Sequence, residues 1–138
     1  MYDLSRIDTI ISDILAYLEK IESFKITSVK DLDDDKNFYS SSMLIFNALN
    51  RVIDLAEQIF NDLSLGTPYE YKQLFELLEH KKIISQENSK EIQYLIRLRN
   101  KISHRYGKIT KEEIFKAIKD ITYIKEFIKS IQREVSKK

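Results

Sequence analysis

"IFNALNRVIDLAEQIFNDL", Ile45 to Leu63, is the stretch that decides the fold. Ile45, Leu49, Val52, Ala56, Ile59 and Leu63 recur at alternating steps of four and three, the spacing of one face of an α-helix. Leu44, Leu55 and Phe60 widen that stripe, which predicts a central helix buried on more than one side, running from about Asp35 to Leu63. Its middle also carries Asn47, Asn50, Arg51, Asp54 and Glu57. Asn47, Arg51 and Asp54 share a face. They read either as a solvated outer face with an Arg51–Asp54 pair or as the polar wall of a cleft.

The same period extends outward from this helix. Leu4, Ile7, Ile11, Ile14, Leu18 and Ile21 predict a long amphipathic first helix. Asp33, Asp34 and Asp35 then precede the central helix; they suit its positive end, and metal ligation is the alternative reading. In "LGTPYE", Gly66 suits a left-handed helix terminus. Thr67, Pro68 and Glu70 suit N-cap, N1 and a capping box for a third helix, Pro68 to His80. His80 at its end reads as a surface residue on the negative pole of the dipole. Ser85 can cap a fourth helix holding Ile92, Leu95, Ile96 and Ile102, which must end near Tyr106 and Gly107. "TKEE", Thr110 to Glu113, is a second capping box, opening one long fifth helix with Ile114, Ile118, Ile121, Ile124, Ile128 and Ile131.

Composition agrees. Two glycines and one proline in 138 residues leave little material for the turns of a β fold. The expected fold is therefore all-α, an up-down bundle of four to five helices forming a single domain over 1–138. Cysteine is absent, which removes disulfides, thiolate metal sites and thiol nucleophiles from consideration. No apolar run approaches the roughly 18 residues of a membrane span, so the expectation is a soluble cytoplasmic protein without membrane association. Net charge is only +1, so any nucleic-acid contact must come from a local patch.

One such patch exists. Between Glu91 and Glu112 the chain carries Arg97, Arg99, Lys101, Arg105, Lys108 and Lys111 and no acid. It suits a phosphate backbone, with Arg97, Lys101 and Arg105 as weaker substrate contacts and Tyr94 or Tyr106 as stacking partners. A basic helix end answering its own dipole is the plainer reading. Within the patch, Asn100 and His104 share one helical face, and Arg99 and Tyr106 another. Arg99 and His104 stand about 140° apart on a regular helix. They converge only if the helix frays before His104, if the arginine reaches across, or if a second subunit contributes. The chemistry of such a pair is definite. An imidazole can take the proton of a ribose 2′-hydroxyl or protonate a leaving 5′-oxygen. A guanidinium can hold the charge of the phosphorane. One histidine cannot easily serve as both base and acid; a homodimer with its two segments facing each other would supply two histidines and two arginines.

"RNKISHRYG", Arg99 to Gly107, resembles the R-N-x-x-x-H-x-Y signature of HEPN-domain toxins of the HepT type. The order of a long second helix, "TPYEYKQLFELLEHKKIIS", the motif and a long last helix resembles that family as well. "EHKKIIS" departs where relatives often carry a glycine. The resemblance implies an HEPN-like fold and a metal-independent endoribonuclease toxin of a type VII-like toxin–antitoxin system, without cofactor or metal. Arg99 and His104 would be catalytic and Asn100 supporting; RNA would be the substrate. The implied partner is an MntA-like nucleotidyltransferase antitoxin that neutralises the toxin by AMPylating Tyr106. Asp54 and Glu57 are weaker candidates for support. The alternative implied role is a non-catalytic, nucleotide-binding or regulatory partner of a nucleotidyltransferase.

Overall fold

The structure is a computed structural model and describes residues 1–104 and 108–137. Its helices are α1 (Leu4–Ser23), α2 (Asp35–Asp62), α3 (Tyr71–His80), α4 (Gln86–His104), α5 (Lys111–Lys119) and α6 (Ile121–Val135). A 3-10 segment, Val29–Asp33, leads into α2. No strand occurs among the described residues. The fold is the expected all-α up-down bundle.

Helix α2 is its axis. Ala48, Leu49, Val52, Leu55, Ala56 and Ile59 are wholly buried, so both flanks of the stripe pack against neighbours. Each fully buried Leu or Ile contributes about 1.5–3 kcal/mol. Helix α1 lies antiparallel to α2. Arg51 near the middle of α2 reaches Asp13 near the middle of α1, and the Asp3 N–H at the start of α1 donates to Asp62 at the end of α2. Helices α3 and α4 form a second hairpin. Helices α5 and α6 return along α4 and α1: Lys101 meets Glu113, Asn88 meets Tyr123, Glu22 meets Lys125, and Tyr2 meets Glu134. One continuous apolar core runs through all six helices.

The acidic run is a cap. Asp34 accepts hydrogen bonds from the N–H groups of Lys36 and Asn37, and Asp33 pairs with Lys111 at 2.9 Å. Three local expectations differ. Helix α2 closes in a Schellman motif whose left-handed residue is Ser64, with φ 56°, not Gly66. The Leu65 N–H donates to the Phe60 carbonyl and Ser64 N–H to Asn61. Helix α3 starts three residues later than expected: Glu70 is its N-cap, and the Gln73 carboxamide reaches back to accept from the Tyr69 N–H at 2.8 Å. The last helix is two. Asp120 donates its N–H to the carbonyls of Lys116 and Ala117, ending α5, and its side chain takes the Lys116 ammonium. Thr110 and Glu113 form the expected capping box.

Candidate active site

Helix α4 carries the motif, and its position is fixed at the end remote from it. Ser85 Oγ accepts from the Asn88 N–H at 3.0 Å and caps the helix. Buried Asn88 donates Nδ2 to the Tyr123 carbonyl at 2.9 Å, and buried Ser89 donates Oγ to the Phe75 carbonyl at 3.3 Å. These bonds set the roll of α4 against α3 and α6. Ile92, Leu95, Ile96, Leu98 and Ile102 then face the core. Arg99, on the flank of that stripe, turns toward α2.

Arg99 is half-buried and held from three helices. Its Nε donates to Asn50 Oδ1 of α2 at 2.7 Å, and its Nη1 donates to Asn100 Oδ1 at 2.9 Å. The guanidinium carbon lies 5.4 Å from the centroid of the Phe46 ring and 5.6 Å from that of Tyr71. A guanidinium has five N–H donors; two are engaged among the described residues, both by neutral amides. No carboxylate pairs with Arg99 among the described residues. A partly desolvated cation without a counter-ion is costly, and the open donors form a ready seat for an anion.

His104 is the last residue of α4 and is exposed. The helix is regular through it, so fraying before His104 does not bring it toward Arg99. Asn100, half-buried, links the two faces: it lies four residues before His104 and holds the Arg99 Nη1. Arg97 is exposed, with its guanidinium 5.7 Å from the Tyr94 ring centroid. Lys101 is engaged by Glu113 at 2.8 Å. Arg105 and Tyr106 lie outside the described residues. His80 is exposed at the end of α3.

Asp54 does not join this group. It and Asp13 bind Arg51 at 3.0 and 2.6 Å, on the side of α2 that faces α1. Arg51 and Asp54 of the polar stripe are therefore ion-paired at the seam between α1 and α2 rather than lining a cleft with Arg99. Loss of hydration, helped by the charge of Asp54, pushes the Glu57 carboxyl above its ordinary range. The residues that sequence reasoning did not place here are Asn50, Phe46 and Tyr71. They reach Arg99 only through the way α2 and α3 pack on α4, which no spacing within one helix encodes.

Beside Arg99, between α3 and α4, lies a cleft of about 530 Å³ whose walls include Tyr71, Phe75, Gln93, Ile96, Arg97 and Asn100. Tyr71 and Asn100 belong to both the cleft and the Arg99 cradle.

The described residues form a helical bundle with an arginine cradle five residues before a helix-terminal histidine, and solved structures share the bundle architecture. The HEPN toxin of Shewanella oneidensis, solved tri-AMPylated in complex with an MNT antitoxin, is 22% identical with a TM-score of 0.85, over 96% of this chain and 99% of that one. A toxin–antitoxin structure with AMP-PNP is 20% identical with a TM-score of 0.84, over 92% and 97%. The cytosolic protein YutE of Bacillus subtilis, of unknown function, is 18% identical with a TM-score of 0.85, over 98% and 93%. At such identities the likeness establishes the fold. No curated protein matches by sequence. The family model for HepT-like ribonucleases matches residues 14–131, and the chain belongs to that family. Among the described residues no helix is long and apolar enough to cross a membrane.

Proposed function

We propose that the chain is an endoribonuclease toxin that cuts RNA without a metal, using Arg99 and His104. The observation that carries this reading is Arg99 itself: a half-buried guanidinium cradled by two amides and two aromatic rings, with donors open and no carboxylate among the described residues. Membership of the HepT-like ribonuclease family supports it.

In this reaction the ribose 2′-oxygen attacks phosphorus and the O2′–P bond forms. An imidazole takes the 2′-hydroxyl proton. The P–O5′ bond breaks, and a second imidazole gives its proton to the 5′-oxygen. The products are a 2′,3′-cyclic phosphate and a 5′-hydroxyl. Arg99 holds the phosphorane charge through paired hydrogen bonds. Asn100 fixes the Arg99 fork beside the face that carries His104. A second His104 imidazole comes only from a second copy, so the working unit is a homodimer, folded as a single domain and acting in the cytoplasm. Arg97, Lys101 and Arg105 assist in holding RNA. An MntA-like nucleotidyltransferase is the antitoxin, and AMPylation of Tyr106 adds bulk and negative charge next to the motif, blocking the anion seat.

The test is cleavage of RNA by the purified chain in excess chelator. Cutting that stops in Arg99→Ala and His104→Ala supports the assignment; cutting that persists in both removes it. Incubation with a cognate nucleotidyltransferase and ATP should add AMP to wild type and not to Tyr106→Phe.

One observation favours a second reading. Helix α4 stays regular through His104, so within one copy Arg99 and His104 face about 140° apart. A chain that binds its nucleotidyltransferase but cuts no RNA as a dimer is a regulatory partner instead.

A further inference from the structure

Of the α3–α4 cleft, the reaction above uses only Arg97 and Asn100. We infer that this cleft is a nucleobase subsite: it seats the base of the nucleotide whose phosphate lies on Arg99, and it selects adenine and cytosine over uracil. The inference takes its substrate class from the ribonuclease reading, but the subsite can be tested without any cleavage.

Continuity is the first argument. Tyr71 and Asn100 each touch the Arg99 guanidinium and each line the cleft. A phosphate on the open donors of Arg99 therefore stands at the cleft's mouth. Dimensions are the second. Gln93, Ile96 and Asn100 line the α4 wall, and two helical turns, about 10 Å, separate Gln93 from Asn100. That is the reach of one extended nucleotide from phosphate to base edge. Between these two amides, buried Ile96 and Phe75 make an apolar floor. Tyr69, almost fully exposed at the rim, can cover the other face of a base.

Polarity is the third argument, and it sets the selectivity. The one hydroxyl proton of Ser89 goes to the Phe75 carbonyl, so toward Gln93 that hydroxyl can only accept. Gln93 Nε2 donates to it at 2.9 Å, which fixes the orientation of the carboxamide. Its Oε1 has no donor among the described residues and is an acceptor for the cleft. Glu70, also at the cleft, makes no capping bond with its side chain. Two acceptors answer the amino groups of adenine and cytosine. Uracil turns a carbonyl oxygen toward Gln93 Oε1 where adenine and cytosine turn an amino group, and a polar group buried against a like one is penalised; the donors of the lining, Lys72, Arg97 and the Asn100 amide, are left to the phosphate.

The experiment is titration of the full chain with AMP, CMP and UMP, followed by NMR of the Gln93 side-chain amide and the Ile96 methyl groups. AMP and CMP should bind at least about fivefold more tightly than UMP, the worth of one hydrogen bond. Gln93→Leu should bring the three affinities together by weakening AMP and CMP. Arg99→Ala should weaken all three alike and keep their order. Equal affinities in wild type, or Gln93 and Ile96 signals that do not move, overturn the subsite. A chain that cuts no RNA yet ranks the nucleotides in this order defeats the ribonuclease reading and keeps the subsite. One that cuts RNA but binds the three equally does the reverse.

Discussion

Arg51 and Arg99 are both half-buried arginines braced by α2, yet they are opposites. Arg51 gives Nε and Nη2 to Asp13 and Nη1 to Asp54. Those hydrogen bonds, Asp13 first, hold its guanidinium charged more firmly than usual. Arg99 donates two hydrogen bonds where Arg51 donates three, and its acceptors are the neutral amide oxygens of Asn50 and Asn100. Asn50 and Arg51 are adjacent, and one step of the helix sends the amide toward α4 and the cation toward α1. The two sites teach that positioning and neutralising a charge are separable. Arg51 is neutralised and closes the bundle. Arg99 is positioned and left charged, which is what an anion-binding group requires.

Deleting the positioned charge should have the largest effect. Arg99→Ala is expected to lower RNA cleavage by at least about 100-fold, the scale for removing a transition-state donor, while thermal melting stays cooperative. A rate within threefold of wild type would place the anion seat elsewhere. Next comes a change that makes Arg99 resemble Arg51. Asn50→Asp puts a carboxylate where the amide now lies 2.7 Å from Nε. Cleavage should fall about tenfold or more because the charge is now answered from within, whereas the melting temperature should hold or rise. Loss of stability together with activity would mean that Asn50 acts only as packing.

The contrast was only partly legible in the sequence. The helix periods gave the bundle, because burial of Ile7 to Ile21, Ile45 to Phe60 and Ile114 to Ile131 follows local spacing. They missed the break at Asp120, because Ile118, Ile121 and Ile124 keep helical phase across it. The Arg51–Asp54 pair was readable from i,i+3 spacing, but Asp13 was not, since it comes from another helix. The Arg99–His104 chemistry was readable from residue type. Its cradle of Asn50, Phe46 and Tyr71 depends on how three helices pack, and the Ser64 terminus on a left-handed residue that is not glycine. Tyr106 rests on the motif alone.

A smaller effect is expected at Arg51. Arg51→Met removes a pair whose partners are about 40% exposed, so screening limits the loss to about 0.5–1 kcal/mol, or about 2–4 °C in melting temperature. Cleavage should be unchanged. A drop in rate without a drop in stability would join Arg51 to the site and erase the comparison.

Lys101 offers the finest test, since it lies on the same helix as Arg99 but is neutralised as Arg51 is. Burial raises the Glu113 carboxyl, yet hydrogen bonds from Lys101 and Thr110 outweigh it, and the net shift is downward. The folded chain thus holds Glu113 ionised more firmly than the unfolded chain does. Near the unfolded value, about pH 4, the unfolded state binds more protons, so stability rises with pH there. The contribution is fully present above that value and is lost as pH falls through the lower folded one. Wild type should exceed Glu113→Gln by about 0.5 kcal/mol at pH 7, with the gap closing by pH 3, as read from urea melts. A gap that is constant with pH would assign the effect to the Thr110 cap geometry rather than to the charge on Lys101. Arg99, which has no carboxylate among the described residues, should give no such acid-dependent term when replaced.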